Sequence, residues 1–283
     1  MPGTLYVVAT PIGNLEDVTL RALRTLREVS LIAAEDTRRT ARLLQHYSIS
    51  TRTTSLHEHN ERSKTPALIA RLQAGESIAL VSDAGTPVVS DPGTHLVAAA
   101  HAAGIRVEPV PGANAALAAL SASGLLLENA FVFAGFPPNR SNARRKWLAG
   151  LQAETRVLIL YEAPHRIRQT LEDMLSTFGD RMVALGRELT KAHEELVVRP
   201  ISEHLNLLTE ERGEFTLVIS GVRPKTLVAD QALDPNKVTC DFLGLTADGA
   251  QSRREALRTL AAQYDIPARE VFALLERAKK SVN

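Results

Sequence analysis

The sequence predicts an α/β protein with two α/β domains and a small helical C-terminal extension. Short apolar runs alternate with amphipathic helical segments through residues 4–122, which favours a largely parallel sheet with helices on both faces. Residues 123–222 contain fewer helices per strand, so their sheet is expected to be mixed or antiparallel. From residue 223 onward the composition changes to a polar linker and short helices. We therefore expect three segments: 1–122, 123–222 and 223–283.

The first segment repeats a strand and then a helix. Its helices are indicated by leucines at helical spacing, such as Leu20, Leu23 and Leu26. Its strands are indicated by short apolar runs that end at Gly, Pro, Asn or Asp. The expected strands are 5–10, 31–34, 53–56, 78–81 and 105–110.

The second segment follows a hinge at 121–129. Its expected strands are 130–136, 157–161, 183–186, 196–199 and 215–220, with helices near 166–178 and 202–208. The extension begins with a linker that runs through Val238 and continues as helices at 252–264 and 268–278, joined by a turn at 265–267. Two short helices around a tight turn resemble a helix-turn-helix, and a helical cap is the alternative interpretation.

Composition narrows the class of protein. The chain has 283 residues, a net charge of +1, 45% hydrophobic residues and one cysteine, Cys240. One cysteine excludes an internal disulfide and suits a reducing compartment. We expect no signal peptide, no membrane span and no metal site, since His57 and His59 lack a third ligand. These observations predict a cytoplasmic protein.

Three loops indicate a ligand cleft. Residues 82–93 follow an apolar strand and are rich in Gly, Pro, Asp and Ser or Thr, which build turns with accessible backbone groups. Residues 11–15 and 111–114 follow two other strands and have similar composition. Open α/β sheets bind ligands at the carboxyl ends of their strands, so the three loops are expected to converge on one cleft.

Several short motifs, in this order along the chain, resemble one family. They are TPIGNL (10–15), AEDTR (34–38), HEHN (57–60), the loops at 82–93 and 111–114, GFPP (135–138), YEAPHR (161–166) and RELTK (187–191). Over roughly residues 3–222 the chain resembles the tetrapyrrole methylase-type (class III) S-adenosylmethionine-dependent methyltransferases. Within them it resembles the branch that 2′-O-methylates a cytidine in the decoding region of 16S ribosomal RNA.

The resemblance implies a cofactor, S-adenosyl-L-methionine, bound between the two α/β domains, and a homodimer. Asp83 supplies a carboxylate for the sulfonium cation, and Gly85 and Gly112 allow close approach of the backbone. No G-x-G-x-x-G follows the first strand, which argues against a Rossmann dinucleotide enzyme. The residues predicted to bind the cofactor are Pro11, Asp83, Gly85, Thr86, Val88, Gly112, Ala113, Tyr161, Leu189, Thr190, Phe215 and Thr216.

The catalytic candidates are polar groups that the family pattern places around the cleft: Asp36, Glu162, Glu188 and Lys191. Methyl transfer to a ribose hydroxyl depends mainly on positioning, with a base to assist loss of the hydroxyl proton. Each candidate is equally consistent with a structural ion pair, for example Glu162 with Arg166 at i,i+4. The sequence does not select the base.

The RNA-binding candidates are basic. Residues 139–147 carry four positive charges without an acidic residue and end at Trp147, which suits phosphate contact and base stacking. The candidates are Arg38, Arg140, Arg144, Arg145 and Lys146. The alternatives are a solvated helix face for the arginines and a core position for Trp147. A methyltransferase of a small molecule such as a corrin precursor, and a non-catalytic RNA-binding assembly factor, are the alternative functions.

Overall fold

The computed structural model describes residues 1–126, 130–209, 211–222, 235–247, 251–264 and 267–280. The chain forms two compact units, Met1–Gly221 and Val222–Asn283. The first unit contains two five-stranded sheets. No helix of the described residues is both long and apolar enough to cross a membrane.

The first sheet is entirely parallel, as predicted. Its strands are β1 (Thr4–Val8), β2 (Leu31–Ala34), β3 (Thr53–Ser55), β4 (Ile78–Val81) and β5 (Arg106–Val110), in the order β3-β2-β4-β1-β5. Every residue of β2 and β4 is buried, because helices cover both faces of the sheet. The carboxyl ends of all five strands lie at one edge.

Five helices follow the strands of this sheet along the chain: α1 (Leu20–Glu28), α2 (Thr37–His46), α3 (Glu61–Gln73), α4 (Thr94–Ala102) and α5 (Ala115–Ser123). Polar side chains cap three of them, since Thr19, Asp36 and Asn114 accept hydrogen bonds from the first turns of α1, α2 and α5. Helix α4 follows Gly93, which has no side chain to cap it. The buried carboxylate of Glu61 accepts from the first N–H groups of α4 instead.

The second sheet is mixed, as predicted. Its strands are β6 (Phe131–Gly135), β7 (Val157–Glu162), β8 (Met182–Arg187), β9 (Glu195–Pro200) and β10 (Phe215–Ile219), in the order β6-β7-β10-β8-β9. Only β6 and β7 pair in parallel. Helices α6 (Ser141–Leu151), α7 (Ile167–Phe178) and α8 (Ile201–Leu207) pack on one face, and α5 packs on the other. Helix α5, which follows β5 along the chain, therefore belongs to the core of the second sheet.

One helix of this half is absent from the sequence prediction. Residues 139–147 were interpreted as a basic segment, whereas most of them form the first turns of α6. The buried stripe of α6 contains Arg144 and Leu148, four residues apart. A charged residue at a core position interrupts the apolar pattern from which helices are predicted.

The second unit contains three helices among its described residues: α9 (Pro235–Thr246), α10 (Arg253–Gln263) and α11 (Ala268–Lys280). They share a core of Val238, Phe242, Ala256, Leu260, Val271 and Leu275. The linker prediction was wrong for residues 235–238, because α9 starts at Pro235 and buries Val238. Residues 223–234 of that linker and residues 265–266 of the predicted turn lie outside the described residues.

Candidate active site

A cleft of about 400 Å³ lies where the strand-end loops of the first sheet face β7 and β10 of the second. We call it the main cleft. Its position agrees with the rule that ligands bind beyond the carboxyl ends of parallel strands. It is lined by Ile12, Glu35, Arg39, Asp83, Ala84, Gly85, Thr86, Val89, Ser90, Asp91, Asn114, Ala115, Phe136, Tyr161, Glu162, Ala163, Pro164, Glu214, Phe215 and Thr216.

The loop at 82–93 is held in place by its neighbours. Gly85 exchanges two backbone hydrogen bonds with Thr10, of 2.8 and 3.0 Å, and the Thr86 hydroxyl donates to the carbonyl of Ala113 at 3.2 Å. Val88 and Ser90 have φ angles of 74° and 66°. A β-branched residue rarely adopts positive φ, and such strain persists where the surrounding structure fixes a functional loop.

Three carboxylates give the main cleft an acidic wall. Asp83 accepts a hydrogen bond of 2.9 Å from the backbone N–H of Asp36 and lies 3.4 Å from the guanidinium of Arg39. Burial raises the pKa of Glu35, although a hydrogen bond from the Asp83 backbone opposes the shift. Burial also raises the pKa of Asp91 to about 6, with the charges of Glu35 and Asp83 adding to the effect. The wall therefore favours a cationic ligand.

Aromatic rings form another wall. The Tyr161 ring lies 5.0 Å from Phe133 and 5.5 Å from Phe136. The Tyr161 hydroxyl accepts a hydrogen bond from the N–H of Ala116, and burial raises its pKa. Phe136 is 53% exposed although it is a large apolar side chain. An exposed ring beside a cavity offers a planar surface on which a heterocycle can stack.

The structure brings half of the predicted cofactor-binding residues to the main cleft: Asp83, Gly85, Thr86, Tyr161, Phe215 and Thr216. The sequence prediction omitted four lining residues with distinctive chemistry: Glu35, Arg39, Asp91 and Phe136. Three of these were within reach of sequence reasoning. Asp91 belongs to the loop at 82–93, Glu35 follows β2 directly, and Phe136 belongs to the GFPP motif.

The other predicted cofactor-binding residues lie outside the lining of the main cleft. Val88 packs against the core of the first sheet and Leu189 against that of the second. A side chain on Gly112 would meet the Cβ of Ala9 at 3.0 Å, so Gly112 permits close approach between two loops. Ala113 offers its carbonyl to Thr86.

Pro11 and Thr190 belong to a contact between loops of the two sheets. The Thr190 hydroxyl accepts a hydrogen bond of 3.0 Å from the N–H of Asn14. A Cβ on Gly13 would lie 2.4 Å from Cγ of Lys191, so only glycine fits there. Glu188 and Thr190 have positive φ angles of 50° and 67°. The loops at 11–15 and 187–191 are therefore fitted to each other.

A second cavity of about 330 Å³, which we call the side cavity, adjoins the main cleft. Five residues line both: Ile12, Arg39, Asp83, Ala84 and Glu214. The side cavity is also lined by Thr10, Pro11, Gly13, Leu15, Thr40, Arg42, Leu43, Ser82 and Lys191.

Of the four catalytic candidates, Glu162 lines the main cleft, but its carboxylate is fully bonded. Oε1 accepts from the guanidinium of Arg166 and from the N–H of Ala163, and Oε2 accepts from the Thr170 hydroxyl at 2.5 Å. Glu162 is 2% exposed. Glu162 and Arg166 therefore form the i,i+4 ion pair that the sequence offered as the alternative to a catalytic role for Glu162.

Asp36 caps α2. Its Oδ1 accepts from the backbone N–H of Arg38 at 2.8 Å, and the Arg38 guanidinium lies beside it. The hydrogen bonds from the Arg38 backbone and side chain lower the pKa of Asp36. A carboxylate with a lowered pKa is a weaker base, so the geometry favours a structural role.

Glu188 and Lys191 form an ion pair of 2.8 Å, and Glu214 lies 3.1 Å from the same ammonium. Burial lowers the pKa of Lys191, but its hydrogen bonds and the charges of Glu188 and Glu214 outweigh burial and raise it. Burial raises the pKa of Glu188, and the bonds from Lys191 and from the N–H of Glu214 reverse that effect. Lys191 therefore stays protonated and contributes a cation to the lining of the side cavity.

The expectation that Arg144 contacts RNA requires correction. Its side chain is fully buried and bonds to Asp173 at 2.7 Å, with Gln169 and the carbonyl of Asn139 completing its hydrogen bonds. The sequence lacks an acidic partner nearby, but the fold supplies one from α7. Arg144 anchors α6 to α7.

The remaining RNA-binding candidates are exposed. Arg140, Arg145 and Lys146 lie at or near the start of α6, with Arg145 bonded to Asn142 and 4.0 Å from Asp173. The Arg38 side chain is 91% exposed and pairs with Asp36. None of these four lines the main cleft or the side cavity.

The fold and the cleft can be compared with known proteins. The sequence pattern of the family Tetrapyrrole (Corrin/Porphyrin) Methylases matches residues 4–204. The methyltransferase CobJ shares the fold with a TM-score of 0.60 and 20% identity, covering 78% of this chain and 95% of its own. Uroporphyrin-III C-methyltransferase from Thermus thermophilus, in complex with S-adenosylhomocysteine, shares the fold with a TM-score of 0.56 and 19% identity. The match covers 77% of this chain and 97% of the methyltransferase.

Closer relatives are found by sequence. A protein of Synechocystis sp. is 46% identical over 96% of this chain and 97% of its own, and one of Pseudomonas aeruginosa is 52% identical over 77% and 79%. A Bacillus subtilis protein is 42% identical over 95% and 93%. All three are named ribosomal RNA small subunit methyltransferase I.

The chain belongs to the tetrapyrrole methylase family. Within that family it belongs to the group whose members are named ribosomal RNA small subunit methyltransferase I. The predicted fold class, family and methyltransferase activity are thereby confirmed.

Proposed function

We propose that this chain transfers the methyl group of S-adenosyl-L-methionine to the ribose 2′-hydroxyl of a cytidine in the decoding region of 16S ribosomal RNA. The observation that carries the proposal is 46% identity over 96% of the chain to a protein named for methylation of small-subunit ribosomal RNA. The enzyme acts on the RNA within the small ribosomal subunit, as a homodimer in the cytoplasm.

The main cleft suits this cofactor. Asp83, Asp91 and Glu35 offer negative charge to a sulfonium cation, and Arg39 is a cation beside them. The exposed ring of Phe136 suits an adenine, and Gly85 lets the ligand approach the backbone. The remaining proposed contacts come from Thr86 and Tyr161, and from Phe215 and Thr216 at the start of β10.

The reaction needs little from the protein beyond orientation and charge. When bound, S-adenosylmethionine supplies an activated methyl group, whose carbon–sulfur bond breaks as the bond to the ribose oxygen forms. The loop at 82–93, held by Thr10 and Ala113, fixes the position of the cofactor-side carboxylates. Asp91, whose pKa of about 6 lies near neutrality, is a carboxylate of the main cleft that can take up the hydroxyl proton.

The test is methyl transfer to defined particles. Purified protein is incubated with methyl-labelled S-adenosylmethionine and small ribosomal subunits from cells that lack the modification, and the label is mapped by nuclease digestion. We expect label on a single 2′-oxygen. Light scattering of the purified protein gives the mass of the assembly and tests the dimer.

Other outcomes would change the proposal. Cofactor binding without label on the subunit would retain the methyltransferase class and favour a small-molecule substrate such as a corrin precursor. Subunit binding without cofactor binding would indicate a non-catalytic assembly factor.

A further inference from the structure

The side cavity adjoins the main cleft and shares five lining residues with it, Asp83 among them. We propose that the side cavity receives the target nucleotide of the RNA, and that Arg39 and Arg42 of α2 contact its phosphates. The proposal rests on the proposed function. It names a substrate subsite and two arginines of α2 that contact the substrate there.

Two of the three arginines in α2 line the side cavity. Arg39 and Arg42 are three residues apart, so they lie on the same face of α2, and both line the side cavity. Arg38 is rotated by about 100° from Arg39 and turns back to Asp36 at the N-cap. Both arginines are exposed residues in the lining of the side cavity, so their charges are accessible to a ligand there.

The charges of these two arginines differ in availability. Arg39 lies 3.4 Å from Asp83 on the wall common to both cavities and is 61% exposed. Arg42 is exposed, and no carboxylate of the described residues lies within ion-pair distance of it. Lys191, another cation of the side cavity, is held by Glu188 and Glu214. Arg42 thus carries the uncompensated positive charge of the side cavity.

The chemistry of the substrate favours a positive charge at this place. In RNA the 2′-oxygen is only a few bonds from the 3′-phosphate of the same nucleotide. A nucleotide that lies in the side cavity and presents its ribose to the main cleft across their shared wall therefore brings its phosphate close to that wall. The guanidinium fork matches phosphate oxygens, and phosphate contacts position RNA without reading its sequence.

The rest of the side cavity fits a nucleoside. Its volume of about 330 Å³ lies in the range of small-ligand sites. Pro11, Ile12 and Leu43 give it an apolar wall against which a base can pack, and Thr40 and Ser82 add polar groups. A pocket that combines an apolar wall with hydroxyl groups and cationic side chains is suited to an unstacked nucleotide.

The test compares Arg42→Glu with Arg24→Glu. Arg24 is an exposed arginine of α1 that lines neither cavity, and the two substitutions change the net charge equally. The dissociation constant of unmodified small ribosomal subunits is measured by filter binding in the presence of S-adenosylhomocysteine, at several salt concentrations. The dissociation constant of S-adenosylhomocysteine alone is measured by calorimetry.

We expect Arg42→Glu to weaken subunit binding about tenfold and to reduce the slope of log affinity against log salt by about one. Arg42→Ala should act in the same direction, less strongly, and Arg42→Lys should retain most of the affinity. Binding of S-adenosylhomocysteine should change less than about twofold, because Arg42 lies outside the main cleft. Arg24→Glu should resemble the wild type.

Equal weakening by Arg42→Glu and Arg24→Glu would overturn the subsite and leave the proposed function intact, provided that the wild type labels the subunit. Loss of S-adenosylhomocysteine binding in Arg42→Ala would also overturn it, because the residue would then belong to the cofactor site. A wild-type protein that neither binds nor labels the subunit would overturn both proposals.

Discussion

The first unit has one half that contains β1–β5 and another that contains β6–β10. The two halves differ in how the acidic side chains at the main cleft are paired. In the first half, Glu35, Asp83 and Asp91 face the main cleft, where Arg39 is a single partly exposed cation beside them. In the second half, Glu162 is fully bonded to Arg166 and Thr170. The three carboxylates of the first half line the cleft where a ligand can reach them, whereas Glu162 forms a structural ion pair.

The difference shows that the same sequence pattern can mark a ligand site in one place and a structural ion pair in another. An acidic residue at the carboxyl end of a strand occurs in both halves, at Glu35 and at Glu162. Glu162 has an arginine four residues later, and the turn of the 3-10 helix after β7 brings that arginine onto it. Burial raises the pKa of Glu35. A nearby basic partner, and not the position on the strand, decides whether an acidic side chain forms a structural ion pair or stays available to a ligand.

The largest expected effect tests the structural role of charge in the second half. Arg144→Ala leaves Asp173 buried without its partner, which should cost about 3–5 kcal/mol of unfolding free energy. Arg145→Ala removes a neighbouring, 55% exposed arginine and should cost less than about 1 kcal/mol. Urea unfolding of the two variants measures both. Similar destabilisation by the two would contradict the assignment of Arg144.

The next effect tests the first half. Asp83→Asn keeps an oxygen to accept the Asp36 N–H but removes the negative charge. We expect S-adenosylmethionine binding to weaken about tenfold or more, which corresponds to about 1.4 kcal/mol, with little change in stability. Calorimetric titration gives the affinity, and Asp17→Asn, at an exposed residue, is the matched control. Unchanged affinity would remove Asp83 from the cofactor site.

The smallest effect is a pH dependence. The pKa of Asp91 is raised to about 6 from an ordinary value of 3.8, so the folded protein holds this proton more tightly than the unfolded chain. Its contribution to stability is therefore present below about pH 4 and is lost as pH rises through about 6. Affinity for a cationic cofactor should change in the opposite direction.

Between pH 5 and pH 7 we expect S-adenosylmethionine binding to strengthen severalfold as Asp91 ionises. Asp91→Asn should flatten this profile over the same range, as measured by calorimetric titration in buffers of matched ionic strength. A flat pH profile in the wild type would show that ionisation of Asp91 does not change the affinity for S-adenosylmethionine.

Much of the fold was accessible from the sequence because its strands are short apolar runs bounded by turn residues. The boundaries of β2 and β4 agree with prediction to the residue. Helices α6 and α9 were missed for different reasons. A buried arginine interrupts the apolar stripe of α6, and α9 begins inside a polar segment that offers few apolar positions before Phe242.

The candidate site was accessible only as a set of loops. Composition located the loops at 11–15, 82–93 and 111–114, but it gave no information about contacts between distant residues. Arg144 finds Asp173 on another helix, 29 residues away. Which arginines of α2 line a cavity depends on how the folded helix is oriented, since one residue rotates a side chain by about 100°.

The contact between the loops at 11–15 and 187–191 has a consequence for recombination between relatives. Gly13 leaves room for Lys191, and the Asn14 N–H is matched to the Thr190 hydroxyl across 176 positions of sequence. Lengthening either loop, or replacing Gly13 with a larger residue, would displace the other loop. A chimera of two proteins whose sequences differ in either loop therefore keeps this contact only if both loops come from the same parent, even though the loops belong to different sheets.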